Sequence, residues 1–382
     1  MRLSKRLDQF PEYIFSRLAK QVAQVERKSG RKVLNFGVGS PDFPPNEIYL
    51  NKLKEYIDEP GSYLYPGYGA IPELAEGLKT WYKQRFHVHL EDSELYPLLG
   101  SRDGVAHLPL ALCDEGDEIL VPDPGYPAFS GPALMIGVQP IYYNLLEANH
   151  FKIDHKELER KVTQKTKYMW INFPSNPTGQ VTSVEELELL VTFAKRHNIW
   201  LIYDNAYAEI TFDGYLAPSI LQIEGAKDVA AEIRSFSKMF SFAGFRMGWI
   251  VGNSEIIASL AKVKSQMDSG MSIPLQKLGS YALTHPDADW HTRMIESYKN
   301  RRDLIFKYLE RIGLQASKSL GSLYLWVKIP DMYQDSKVYA TKLLEEKQIL
   351  VTPGTAFGNN GSRYVRVSYC VTIDSIDEYL SL

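Results

Sequence analysis

The chain has 382 residues, enough for one large domain and a smaller companion at ~150 residues per domain. Hydrophobic residues make up 45% and charged residues 23%, the balance of an ordinary globular protein, which excludes a disordered, collagenous or disulfide-framework chain. Lys+Arg total 43 against 46 Asp+Glu, a formal charge of −3 without a long block of one sign, so no nucleic-acid or membrane partner is expected and small-molecule chemistry leads.

From Pro11 to Lys28 the apolar residues Ile14, Leu18, Val22 and Val25 recur at helical spacing, and Ser29-Gly30 supplies a C-cap. This predicts a helix able to pack on either domain, followed by a short strand from Val33 to Phe36. Between about residues 90 and 255, apolar runs alternate with helical patterns: Ile119–Val121, Tyr168–Ile171, Ile199–Tyr203 and Trp249–Val251. Such runs read as strands buried on both faces, hence an α/β sheet. Helical patterns dominate residues 254–312. A strand (Leu323–Val327), a helix (335–346) and two strands (349–351, 363–368) finish the chain as a second, smaller unit. No repeat or low-complexity linker marks the boundary, which falls among the helices around 270–295. Cys113 and Cys370 lack CxxC spacing and fit a reducing compartment. The basic N-terminus leads into no apolar signal region, and no run approaches the ~18 apolar residues of a membrane span, so a cytoplasmic location is expected.

Four clusters carry chemistry. In Ser235-Phe236-Ser237-Lys238, followed by Gly244-Phe245-Arg246-Met247-Gly248, hydroxyls and an arginine make a phosphate site beside a lysine. Pyridoxal phosphate requires that pairing, because an amine must condense with its aldehyde while the phosphate anchors the ring. A solvated lysine in a Ser-rich loop is the plain alternative. Asp204 directly follows the buried run 199–203, with Tyr207 three residues on. A carboxylate there faces the crevice where α/β sheets bind ligands and suits a pyridine nitrogen, although an Asp after a strand is more often a helix cap. Asn176-Pro177-Thr178-Gly179 is first of all a turn, one stiff enough to hold the Asn176 amide against a ligand oxygen. In Tyr364-Val365-Arg366-Val367-Ser368, alternation puts Arg366 on the face opposite Val365 and Val367, where its planar fork suits a carboxylate or an ordinary ion pair.

Together these clusters resemble the class I/II aminotransferases of the fold-type I pyridoxal-phosphate enzymes, over nearly the whole chain. The resemblance implies an α/β fold: a large domain, residues 40–285, with a mostly parallel seven-stranded sheet, and a smaller α+β domain made of residues 1–39 and 286–382. It implies pyridoxal 5′-phosphate as cofactor, with Lys238 as the Schiff-base lysine and Ser235, Ser237 and Arg246 at the phosphate. Asp204 is implied at the pyridine nitrogen, Tyr207 and Asn176 at the ring phenolate oxygen, and Arg366 on the substrate α-carboxylate. Gly39, in Gly37-Val38-Gly39-Ser40-Pro41-Asp42, matches the position whose backbone approaches that carboxylate. Ser101 and Arg102, within Gly100–Gly104, fall at a helix start that can hold phosphate. Tyr126 matches the aromatic residue on the cofactor ring, and Tyr65 matches the tyrosine that reaches the phosphate of a neighbouring subunit, which implies a homodimer with shared sites.

The implied activity is transfer of an amino group from an L-amino acid to a 2-oxo acid, 2-oxoglutarate foremost, by ping-pong exchange. Residues 100–111, 122–127 and 267–270 look closest to the LL-diaminopimelate aminotransferase-like branch, which includes aspartate aminotransferases. That branch often reads Gly-Ser-Lys-Glu-Gly where this chain has Arg102 and Asp103, and Asp-Ser-Gly-(Ile/Val)-Phe-Gln where it has Asp268-Ser269-Gly270-Met271-Ser272-Ile273. Donor selectivity is expected to involve Tyr13, Phe15, Tyr68 and residues 267–272. A β-eliminating C–S lyase uses the same cofactor residues and is the alternative. A cofactor-sensing regulator is remote, with only about 30 residues before the first strand. Gly37-Val38-Gly39 lacks the third glycine of a dinucleotide loop, and His87 and His89 near Glu91 and Asp92 read as a polar loop, not a metal site. Asn360-Gly361-Ser362 is a glycosylation sequon by pattern only.

Overall fold

Strands that are apolar at every position need cover on both faces, and the long central strands receive it. The computed structural model describes residues 4–10 and 14–380. Its strands are β1 (Leu34–Asn35), β2 (Leu95–Leu98), β3 (Glu118–Asp123), β4 (Gln139–Asn144), β5 (Thr166–Asn172), β6 (Trp200–Asp204), β7 (Ala230–Ser235), β8 (Gly248–Gly252), β9 (Tyr324–Lys328), β10 (Ile349–Leu350), β11 (Thr352–Pro353) and β12 (Tyr364–Ser368). Its helices are α1 (Ile14–Ser29), α2 (Glu47–Asp58), α3 (Pro72–Phe86), α4 (Ser101–Leu112), α5 (Gly131–Met135), α6 (His155–Lys161), α7 (Val184–His197), α8 (Phe236–Met239), α9 (Ser254–Lys264), α10 (Ile273–Thr284), α11 (Ala288–Arg311), α12 (Ser336–Lys347) and α13 (Ile373–Leu380).

One seven-stranded sheet runs β2-β8-β7-β6-β5-β3-β4, parallel apart from β8, as expected of the α/β class. Strand alternation splits its side chains between two layers. Met169, Ile171, Leu201 and Tyr203 join one hydrophobic cluster with Leu74 and Leu78 of α3 and Leu278 of α10. Tyr168, Trp170 and Ile202 join the other with Val105 and Leu108 of α4 and Leu260 of α9.

Beyond α11, β9, β11 and β12 form a three-stranded antiparallel sheet in the order β11-β12-β9, and β1 pairs in parallel with β10. The expected strand 349–351 is seen as β10 at 349–350, paired with β1, and β11 at 352–353 is a further short strand paired with β12. The apolar stripe of α1 settles against this end of the chain: Leu18 clusters with Leu344 of α12 and Leu350 of β10. Pro11 to Tyr13, where that helix was expected to begin, lie outside the described residues, and so does the candidate selectivity residue Tyr13.

Candidate active site

Three neighbouring parallel strands end side by side: β5 at Asn172, β6 at Asp204 and β7 at Ser235. Their carboxyl ends open into a crevice, the usual ligand site of an α/β sheet. A cleft of about 490 Å³ lies there. Gly39, Ser101, Arg102, Tyr126, Asn176, Asp204, Tyr207, Ser235, Ser237, Lys238, Arg246 and Arg366 all line it, although they come from positions spread over most of the chain. Tyr65 does not line it and is 86% exposed.

One wall gathers groups that can receive an anion. The chain leaves β2, turns at Gly100 (φ +86°) and enters α4, whose first turn carries Ser101 and Arg102 and leaves backbone N–H groups without helical partners. Glycine suits the turn because its left-handed φ strains any L side chain, and a Cβ there would also displace Arg246 Nη2, 2.5 Å away. Arg246 is itself left-handed (φ +56°), with Nη1 donating to the Ala243 carbonyl at 2.9 Å. Across from it, the Ser235 hydroxyl accepts from the Ser237 N–H at 3.2 Å and caps the single turn of α8 that carries Lys238. Behind α4, the buried ammonium of Lys264 bridges Asp103 and Asp268, and Asp103 also accepts from the Leu99 N–H at 2.9 Å.

The floor holds the titratable pair. Asp204 is 6% exposed and its carboxyl is pushed up to about 7 by burial, against the opposing pull of the Ala206 N–H and the Lys238 charge. Burial lowers the Lys238 amine to about 8; the charges of Arg366 and Arg246 push the same way, while Cys370 and Asp204 oppose. Lys238 Nζ donates to the Gly39 carbonyl at 3.0 Å. An amine that sheds its proton near neutrality can attack a carbonyl or carry a proton.

The opposite wall comes from the smaller sheet. Arg366, in the central strand of β11-β12-β9, is only 2% exposed. Its Nη1 donates to Asn176 Oδ1 and its Nη2 to the Gly37 carbonyl, each at 2.8 Å. Both of these acceptors are neutral, and a guanidinium is a group that can pair with a carboxylate.

Of the cleft residues that the sequence reading did not single out, two carry polar links. Asn172 accepts from the Asn176 N–H and donates to the Asp204 carbonyl, each at 2.9 Å, and so ties the turn to the end of β6. Tyr324 of β9 lies with its hydroxyl 2.8 Å from that of Tyr207 and its ring 4.1 Å from the Arg366 guanidinium carbon. An amide at the end of a buried strand was a readable signal for Asn172, whereas nothing local marks Tyr324.

A family model described as aminotransferase class I and II matches residues 31–381. The chain belongs to that family. This aminotransferase is 38% identical over 381 residues to the LL-diaminopimelate aminotransferase of Halothermothrix orenii, covering 100% of this chain and 97% of the relative. It is 37% identical over 376 residues to the enzyme of the same name from Aquifex aeolicus, covering 98% and 96%. The solved structure of apo-BacF from Bacillus subtilis matches this aminotransferase with a TM-score of 0.95 at 32% identity, over 100% of this chain and 97% of that one.

Proposed function

We propose that the cleft holds pyridoxal 5′-phosphate and that the aminotransferase passes the amino group of an L-amino acid to a 2-oxo acid, 2-oxoglutarate foremost, in two half-reactions. The observation that carries this reading is the meeting of Lys238, Asp204 and the Arg366–Asn176 pair in one cleft. The residues present suit the cofactor group by group. Ser101, Arg102, Ser235, Ser237 and Arg246, with the first amides of α4, would hold its phosphate. Tyr126 would cover the ring, Asn176 and Tyr207 would meet its ring oxygen, and Asp204 would meet its ring nitrogen, where an opposing positive charge keeps the carboxylate ionised. When bound, the cofactor supplies an electron sink for the substrate α-carbon.

The chain's own groups then divide the work. Arg366 and the Gly39 backbone orient the substrate α-carboxylate, and Lys238 Nζ takes the α-proton and delivers it back on the product side. The names of the relatives make LL-diaminopimelate the first donor to test, with an aspartate-type donor next. A homodimer, in which Tyr65 of one copy reaches the phosphate of the other, is supported by a segment with Tyr63, Leu64, Tyr65 and Tyr68 all exposed. Residues 40–285 on one side, and 1–39 with 286–382 on the other, are the two domains we assign. Among the described residues no helix is long and apolar enough to cross a membrane. Both cysteines are free, in keeping with the cytoplasm as the location we propose.

The test is an absorbance titration of cofactor-loaded protein with glutamate, aspartate and diaminopimelate. Conversion of the visible band, reversed by 2-oxoglutarate, is the expected result. Pyruvate and ammonia released without an acceptor would assign a C–S lyase instead, and no band after adding cofactor would refute the reading.

A further inference from the structure

Tyr324 touches three residues of the cleft: Arg366, Tyr207 and Gly39. It is 2% exposed, its ring packs 4.1 Å from the Arg366 guanidinium carbon, and its hydroxyl stands 2.8 Å from that of Tyr207 and 3.4 Å from the Gly39 carbonyl. A Cβ on Gly39 would fall 2.0 Å from that hydroxyl, so the absence of a side chain at 39 is what gives the phenol its place. Tyr324 belongs to the smaller antiparallel sheet, whereas Tyr207 follows the end of β6 in the large sheet. The hydroxyl pair is thus a bond between the two sheets, made at the floor of the cleft.

A phenol has one proton and can accept as well as donate. Within a pair of hydroxyls, whichever donates to its neighbour leaves the neighbour's proton for something else. Of the two oxygens given above beside the Tyr324 hydroxyl, that of Tyr207 at 2.8 Å is nearer than the Gly39 carbonyl at 3.4 Å. We propose that Tyr324 is a positioning residue that donates to Tyr207 and so directs the Tyr207 proton into the cleft, toward the ring oxygen of the cofactor. This rests on the reading of the cleft as a pyridoxal-phosphate site. A phenol proton aimed at that ring oxygen favours its anionic form, and a phenol that also accepts a hydrogen bond is the stronger donor.

The consequence is a shift that can be read without turnover. Cofactor-loaded protein is titrated with base while its visible absorption band is followed, for the wild type, Tyr324→Phe, Tyr207→Phe and the double variant. Tyr324→Phe removes one oxygen and keeps the ring against Arg366. The midpoint is expected to rise by about 0.3–0.7 pH unit in Tyr324→Phe, the fraction of one hydrogen bond that a second hydroxyl conveys, and by more in Tyr207→Phe. In the Tyr207→Phe background, Tyr324→Phe should add nothing, because its effect passes through Tyr207. A merely structural Tyr324 would lower the melting temperature and leave the midpoint in place. A normal band with an unmoved midpoint in Tyr324→Phe, or equal shifts with and without Tyr207, would overturn the inference alone. A wild type that forms no band would overturn the cofactor reading and this inference with it.

Discussion

Replacing Gly39 with alanine tests the packing on which the substrate wall depends. A Cβ at that position lies 2.0 Å from Tyr324 Oη and 2.5 and 2.6 Å from the ring atoms Cε1 and Cζ, where unstrained carbon contacts need ~3.5 Å or more. The phenol must therefore retreat by roughly 1 Å or more. Its ring is stopped by Arg366 and its hydroxyl is tied to Tyr207, so the retreat breaks the pair. The other way out, movement of the Gly39 segment, is also opposed. The Asp42 carboxylate is held by both its oxygens on Arg301 Nη1 at 2.7 and 2.8 Å, and the Asp42 and Phe43 N–H groups donate to the Tyr298 hydroxyl at 3.2 Å.

Overpacking a site of this kind costs ~1–3 kcal/mol, and a displacement of ~1 Å in a substrate-orienting group costs ~100-fold in rate. Gly39→Ala is expected to lower kcat/KM by about 100-fold and the melting temperature by about 1–4 °C, measured by steady-state kinetics and circular dichroism. The alanine should cost nothing further in a Tyr324→Ala background and keep a reduced cost beside Tyr324→Phe, where Cε1 and Cζ remain but the Oη clash and the pair with Tyr207 are gone. Wild-type kcat/KM and melting temperature in Gly39→Ala would refute the reasoning.

Asp204 carries a pH signature in cofactor-free protein. With its folded value raised to about 7, the folded state binds more protons than the unfolded chain between the ordinary carboxylate value and 7, so this group's stabilisation is complete at low pH and is lost as pH rises through 7. Melting curves of Asp204→Asn should lack that decline; an identical pH profile would count against the buried carboxyl. Arg366→Lys replaces two directed hydrogen bonds with a point charge and should cut kcat/KM by about 100-fold or more, mainly through KM for the donor amino acid; a fall in kcat alone would contradict a binding role. Lys264→Met takes away the ammonium that joins Asp103 and Asp268 and leaves Asp103 with His107 as its remaining basic partner, at a cost below the ~3–5 kcal/mol of a fully orphaned buried charge, and should loosen the start of α4. Thermal melts and the dissociation constant for pyridoxal phosphate should both worsen, and a variant as stable as wild type would deny the bridge its role.

The parts of the fold that were legible in the sequence are those decided locally. Runs such as Tyr168–Ile171 are apolar at every position, and only a sheet covered on both faces accommodates them. Helix α1 shows the limit: its stripe of Leu18, Val22 and Val25 says that one face is buried but not against what, and the partners, Leu344 and Leu350, lie at the far end of the chain. The site follows the same division. Asp204, Lys238 and Asn176 stand at the ends of strands or in rigid turns, positions that suit a crevice and equally a cap or a turn, and the resemblance to a family is what joined them. Tyr324 sits within an apolar strand, and only the pairing of β9 with β12, with Ser368 opposite Tyr324, carries it to the cleft. Nor does any local pattern tell that Tyr298 and Arg301, on the long helix α11, would fasten the Asp42 turn.

Burial moves Asp204 up and Lys238 down, so a carboxyl and an amine that would ordinarily differ by more than six pH units come to titrate about one unit apart. Such convergence leaves the charge on the amine sensitive to whatever enters the cleft. Arg246 and Arg366 both disfavour the protonated amine, and Arg246 stands on the anion-binding wall. An anion held there offsets that repulsion and returns Lys238 toward its ordinary value near 10.5, so binding must draw protons from solution at a pH close to 8. Sulfate is the appropriate probe, because it does not itself titrate in that range. Calorimetry of cofactor-free protein with sulfate, repeated in buffers of different ionisation enthalpy near pH 8, should report net proton uptake, and Lys238→Met should bind sulfate without that uptake. Sulfate binding with no linked proton in the wild type would mean that the Arg246 wall and the lysine are electrostatically separate, and the contribution of Arg246 to the lowered Lys238 value would fail, leaving burial as its cause.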